Sequence, residues 1–199
     1  MPTDAASSLR TGLRKLWTDH VIWTRQYIVA VTSDTPDAGA AAGRLLKNQE
    51  HLGAAIVPYY GQAAGDKLTA LLKEHIMIAV DLLAAAKAGD DARFQQEDQK
   101  WTANAQAIAA FLSSANPAWP RKDVEDLLNL HLSLTKGEAV ARLGAHWDDD
   151  VTAFDDIFTE ILTVSDTLAN GIIQQFPDRF AEPAPHEAGA LARLFGRRR

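Results

Sequence analysis

The sequence predicts an all-α protein, a six-helix antiparallel bundle made of three pseudo-repeated helical hairpins. Six long segments place apolar residues at helical spacing, and none sustains the alternation of a strand. The connections between them are short, which favours antiparallel neighbours. One histidine recurs at the same place in every odd-numbered segment.

The first segment runs from about Ser8 to Thr32 and stops at Ser33-Asp34-Thr35-Pro36-Asp37, a turn that also offers an N-cap. A second reaches about Val57 and meets Pro58-Tyr59-Tyr60-Gly61. The third covers Ala64 to Ala88 and ends at Gly89-Asp90-Asp91, while the fourth continues to Ala115 before Asn116-Pro117-Ala118-Trp119-Pro120. The fifth spans Lys122 to Leu143, and the sixth Asp150 to Gln175 before Pro177. Together they form one expected domain over 8–180, with units at about 8–60, 62–119 and 121–180. Beyond it, 181–199 reads as a linker, Ala181-Glu182-Pro183-Ala184-Pro185, and a basic amphipathic tail with Leu191, Leu194, Phe195 and Arg197-Arg198-Arg199.

Composition narrows the chemistry. The 199 residues, 47% hydrophobic and 23% charged, suit one domain with a sizeable core. A net charge of −6 argues against nucleic-acid binding by the main domain. With no cysteine, thiolate catalysis, disulfides and cysteine-built metal sites are excluded. No signal peptide or membrane-spanning run is read, so the expected compartment is cytoplasmic.

The odd segments align on their histidines. Leu13-Arg14-Lys15-Leu16-Trp17-Thr18-Asp19-His20 matches Leu68-Thr69-Ala70-Leu71-Leu72-Lys73-Glu74-His75 and Val124-Glu125-Asp126-Leu127-Leu128-Asn129-Leu130-His131. The histidines lie 55 and 56 residues apart, and the positions seven, four and three before each are apolar. Those offsets share a helical face with the histidine, so all three belong to the buried stripe. The even segments repeat more loosely: Asn48 and Asn104 are also 56 apart, and Asp166, with Asp155 as a rival, is the counterpart in the third.

A buried imidazole forfeits roughly 1–3 kcal/mol for each unsatisfied nitrogen. Three of them therefore need partners, and two readings remain open. One is a metal-binding bundle with a three-histidine centre of His20, His75 and His131 and with Asp166 or Glu138 as carboxylate ligand. Asn48 and Asn104 would then stand behind the ligands and fix their tautomers. Such donors suit a transition metal ion, namely zinc, iron, manganese, nickel or copper. No reaction is specified. The other reading is a non-enzymatic structural or interaction protein with buried His–Asn pairs, whose tail touches anionic lipid or a partner protein. The first requires imidazole nitrogens within about 3–4 Å of each other, whereas hairpins stacked in a row would leave them about 8–10 Å apart. The expected geometry brings at least two histidines together, with Asn48, Asn104 and Asp166 each on the ring of its own hairpin.

Other residues carry lesser expectations. Thr135 and Glu138 share a face with His131, and a buried Glu138 would pair with His131, Arg142 or a metal. Glu74 and Asp81 suit a solvated edge, His51 and His146 the surface, and Arg25 an anion. Trp17, Trp23, Trp101, Trp119 and Trp147 read as packing residues. There is no P-loop, Gly-x-Ser-x-Gly or dinucleotide fingerprint.

The stretch Leu16-Trp17-Thr18-Asp19-His20-Val21-Ile22-Trp23-Thr24-Arg25, with Arg44-Leu45-Leu46-Lys47-Asn48, Pro58-Tyr59-Tyr60-Gly61, Glu74-His75 and Gln174-Gln175-Phe176-Pro177, resembles an uncharacterised family of small all-helical bacterial proteins. Some members carry an acetylglutamate kinase label. Those kinases are larger α/β proteins with glycine-rich phosphate loops, which this chain lacks. The resemblance implies a shared helical fold and no activity.

Overall fold

The computed structural model describes residues 5–181, so all of the tail but its first residue lies outside the described residues. Six helices follow one another: α1 (Ala5–Thr32), α2 (Ala38–Tyr60), α3 (Gln62–Ala88), α4 (Asp91–Ala115), α5 (Arg121–Leu143) and α6 (Trp147–Gln175). A 3₁₀ turn, Pro177–Arg179, closes the described chain. Among the described residues there is no strand, and no helix is long and apolar enough to cross a membrane.

Each helix packs on its neighbours in sequence, and α6 returns to α1, so the six close into a ring. The odd helices turn the same apolar positions inward. Seven before, three before and one after the histidine stand Leu13, Trp17 and Val21 in α1, Leu68, Leu72 and Ile76 in α3, and Val124, Leu128 and Leu132 in α5, all buried. These offsets follow the 3.6-residue period, which stacks them in successive turns of one face.

The three hairpin turns are also equivalent. Each odd helix ends on a left-handed residue 14 positions after its histidine: Asp34, Gly89 and Ala145. In each turn the next amide reaches back five residues, Thr35 to the Ala30 carbonyl, Asp90 to Ala85 and His146 to Ala141. This paired closure satisfies carbonyls that a helix end would otherwise leave open. Gly89 takes the conformation without strain, whereas Ala145 brings a Cβ against its own backbone. Asp37 precedes α2 but does not cap it with its side chain, which instead accepts from Thr35 Oγ1 and Gln26 Nε2. The expected cap is therefore a turn-stabilising residue.

At the opposite end the even helices are tied together. Asn116 Nδ2 donates to the Tyr60 hydroxyl, which donates to Gln175 Oε1, and Gln175 Nε2 donates to the Ala115 carbonyl. Trp119 lies fully buried over Gly171 and donates to the Thr167 carbonyl. Trp17, Trp101 and Trp119 are core residues as expected, but Trp147 is 56% exposed, with Arg142 over its ring.

Two substitutions test this account by denaturant unfolding. Ala145→Gly relieves the left-handed alanine and should raise stability by about 1 kcal/mol. Gly171→Ala places a Cβ 1.9 Å from Trp119 Nε1 and should lower it by about 1–3 kcal/mol. Equal stability of both variants would contradict the assignment.

Candidate functional site

The alternate placing of α1, α3 and α5 around the ring brings their histidines to one level at its centre. His20, His75 and His131 are all buried. His131 sits between the other two, with ring centroids 5.5 Å from His20 and 6.4 Å from His75. The hairpins therefore share an axis and do not stack in a row.

Each Nδ1 meets a side chain 29 residues later, on the following helix. His20 Nδ1 lies 3.2 Å from Gln49 Nε2, His75 Nδ1 2.9 Å from Asn104 Oδ1, and His131 Nδ1 2.9 Å from Glu160 Oε2. Asn104 is the partner that the sequence predicts. Two other expectations are corrected. Asn48 does not reach the His20 ring; it donates to the Leu16 carbonyl, as Asn104 does to the Leu71 carbonyl, each four residues before the histidine. Gln49, the next residue, takes the ring. Asp166 is not at the centre either: it forms an ion pair with Arg14 on the surface, two turns of α6 away from Glu160. The 29-residue offset from the histidine, read from Asn104, points to both Gln49 and Glu160; the chemical difference among Asn, Gln and Glu hides the equivalence.

Glu138 is buried but does not face the histidines. Arg25 Nη1 donates to Glu138 Oε1 at 2.7 Å and to Asp150 Oδ1 at 2.9 Å, and Arg142 Nη1 reaches Asp150 Oδ2 at 3.2 Å. Burial pushes the Glu138 carboxyl up to about 7, against the pull of Arg25. Burial acts on Asp150 in the same sense, but the Arg25 and Arg142 guanidinium groups outweigh it and hold that carboxyl below its ordinary range. Arg25 is thus committed to two internal carboxylates. Glu74 is exposed and Asp81 pairs with Arg93, as a solvated edge requires; His51 and His146 are exposed.

The hydrogen bonds fix tautomers. Asn104 Oδ1 and Glu160 Oε2 accept, so His75 and His131 each carry a proton on Nδ1, and the neutral His75 keeps its lone pair on Nε2. Gln49 Nε2 divides its two hydrogens among the Leu45 carbonyl, Asn48 Oδ1 and His20 Nδ1, so His20 Nδ1 faces a donor and the proton of the neutral ring sits on Nε2. Among the described residues no hydrogen bond reaches any of the three Nε2 atoms, yet none of them is fully enclosed. The three histidines line two cavities of about 40 Å³ each, one on either side of their layer. Several fully enclosed polar atoms around the layer also have no partner: Gln49 Oε1, Glu160 Oε1, Trp17 Nε1 beside His20 and Trp101 Nε1 beside His75.

Desolvation lowers the basicity of His20 far below an ordinary histidine, helped by the neighbouring His131 and His75. The same causes, burial first and His131 second, lower His75 to about 3. Among the described residues no group of three or more His, Asp or Glu side chains is placed to hold a metal ion.

Because the folded state keeps His75 neutral down to about pH 3 while the unfolded chain protonates near 6.5, the unfolded state binds more protons between these limits. The stabilisation from His20 and His75 is present above pH 6.5 and is lost as pH falls below it. Glu138 has the opposite sign: raised to about 7, it favours the fold at pH below 4.5 and loses that contribution as pH rises through 7. Stability measured from pH 6.5 to pH 5 should still fall, since two histidines oppose one carboxyl. His75→Gln should remove about one proton from that slope, or about 1.4 kcal/mol per pH unit; an unchanged slope would contradict a neutral buried His75. No protein-family model, curated protein or solved structure matches the chain.

Proposed function

We propose that the protein binds a transition metal ion at the centre of its ring, held by Nε2 of His75 and His131 and completed by His20. The observation that carries this reading is the division of labour on each imidazole. One nitrogen is tied to the following helix, and no hydrogen bond reaches the other, on rings that line both central cavities. A carboxylate or amide behind a ligating histidine fixes its tautomer and raises its basicity. Glu160 and Asn104 fill that place, and Gln49 does so when its amide turns over, offering the unpartnered Oε1 to Nδ1.

The spacing is compatible. Imidazoles on one ion, with metal–nitrogen bonds of about 2.0–2.1 Å, have centroids about 5 Å apart. The observed 5.5 Å for His20–His131 and 6.4 Å for His75–His131 require an inward movement of roughly an ångström for those two pairs, and His20 and His75, which share no ring contact, must also close on each other. The lowered basicity of His20 and His75 favours metal over proton, and nitrogen donors suit zinc, iron, manganese, nickel or copper. Duplication of one hairpin accounts for the recurrence of histidine, partner and turn. The Gln49 orientation, in which His20 turns an N–H inward, favours a second reading: a purely structural polar layer inherited by the same duplication.

Elemental analysis of untagged protein decides between them. The metal reading expects about one equivalent of transition metal, lost in His75→Ala, and a melting temperature lowered by chelator. Glu160→Gln should weaken metal affinity by about 10–100-fold while the protein stays folded. Metal-free protein that takes up no added zinc, iron, manganese, nickel or copper, and melts unchanged with chelator, would establish the structural reading.

A further inference from the structure

The two cavities beside the histidines differ in chemistry. The one toward the hairpin turns has Thr24, Tyr27, Thr135 and Lys136 on its walls. The one toward Trp17 is walled by Leu68, Leu72, Val124, Leu128 and Val164 together with the indole, and the three imidazoles form its floor. Its volume of about 40 Å³ is several times the roughly 10–15 Å³ that one water occupies on this scale. A buried water is held by two to four polar partners, and a cavity walled by hydrocarbon stays dry and takes up apolar atoms instead. Above the histidine floor the wall carries a single hydroxyl, Thr167, and Trp17 Nε1 is fully enclosed by packing and does not open into it.

We infer that the Trp17-side cavity is a binding site for a small, uncharged, apolar molecule of the dioxygen class, held in contact with the histidine layer. Size excludes anything much beyond a diatomic or triatomic molecule, and the lining excludes ions. The inference deepens the metal reading by naming what reaches the metal, but the cavity and its lining stand without the ion. A bound ion would face hydrocarbon on this side and the threonine and lysine side chains on the other.

Xenon is the probe, applied to crystals of the full-length, metal-free protein under gas pressure. The expected result is a xenon atom bounded by Leu68, Leu72, Val124 and Leu128, absent in Val124→Phe, whose ring occupies the space. Because Val124→Phe also risks overpacking, Leu72→Ala serves as the second variant; it enlarges the cavity and should increase xenon occupancy. Ordered waters filling the cavity in the gas-free crystal, or xenon bound only elsewhere, would overturn the inference. Xenon uptake in protein that binds no metal would leave this site standing and remove the metal reading, so the two fail separately.

Discussion

Three imidazoles buried at one level of a closed helical ring set the terms for the rest of the molecule. Each ring nitrogen taken from water needs a partner, and for every histidine the Nδ1 partner comes from the helix that follows it. The hairpin lengths express this. Each odd helix continues 14 residues past its histidine to a left-handed turn residue, and the partner stands 15 residues further along. At about 1.5 Å per residue, the chain descends roughly 21 Å and climbs back by nearly the same distance, so histidine and partner meet at equal height. A one-residue change in either arm would rotate the partner by about 100° around its helix and leave the nitrogen bare.

The centre is also where the structure departs from complete polar satisfaction. Gln49 Oε1, Glu160 Oε1 and two indole N–H groups have no partner, all of them on or beside the histidine layer. Arg44 Nη1, Ser113 Oγ, Arg142 Nε and Ser165 Oγ are enclosed without a partner as well, whereas other buried polar groups are matched. The Tyr60–Asn116–Gln175 chain joins three even helices, and Arg25 and Arg142 neutralise Glu138 and Asp150 between α1, α5 and α6.

The charge cluster shows how a buried carboxylate is diverted from that site. Glu138 lies seven residues after His131 on the same helical face, yet two turns carry it about 10 Å along the axis, level with Arg25 and Asp150 rather than with the rings. The guanidinium holds both carboxylates, and a metal ligand there would need to break that pairing. The group that reaches His131 comes instead from α6, where Glu160 stands level with the ring.

The sequence by itself determined the helical class, the six elements, their short turns and the three inward histidines, because all of these depend on the 3.6-residue period and on local turn chemistry. Asn104 was legible for the same reason, lying on the apolar face of its own helix. Helix ends differ by a few residues: α2 carries Pro58 within its last turn, and α6 starts at Trp147, where Asp148, Asp149 and Asp150 favour the N-terminal end of the dipole. Tertiary structure alone decided that Gln49 replaces Asn48, that Glu160 replaces Asp166, and that Glu138 belongs to Arg25. Each choice turns on which residue of an already polar helix stands at the height and azimuth of a ring on another helix. That depends on the register between helices, a quantity no single helix encodes in its periodicity.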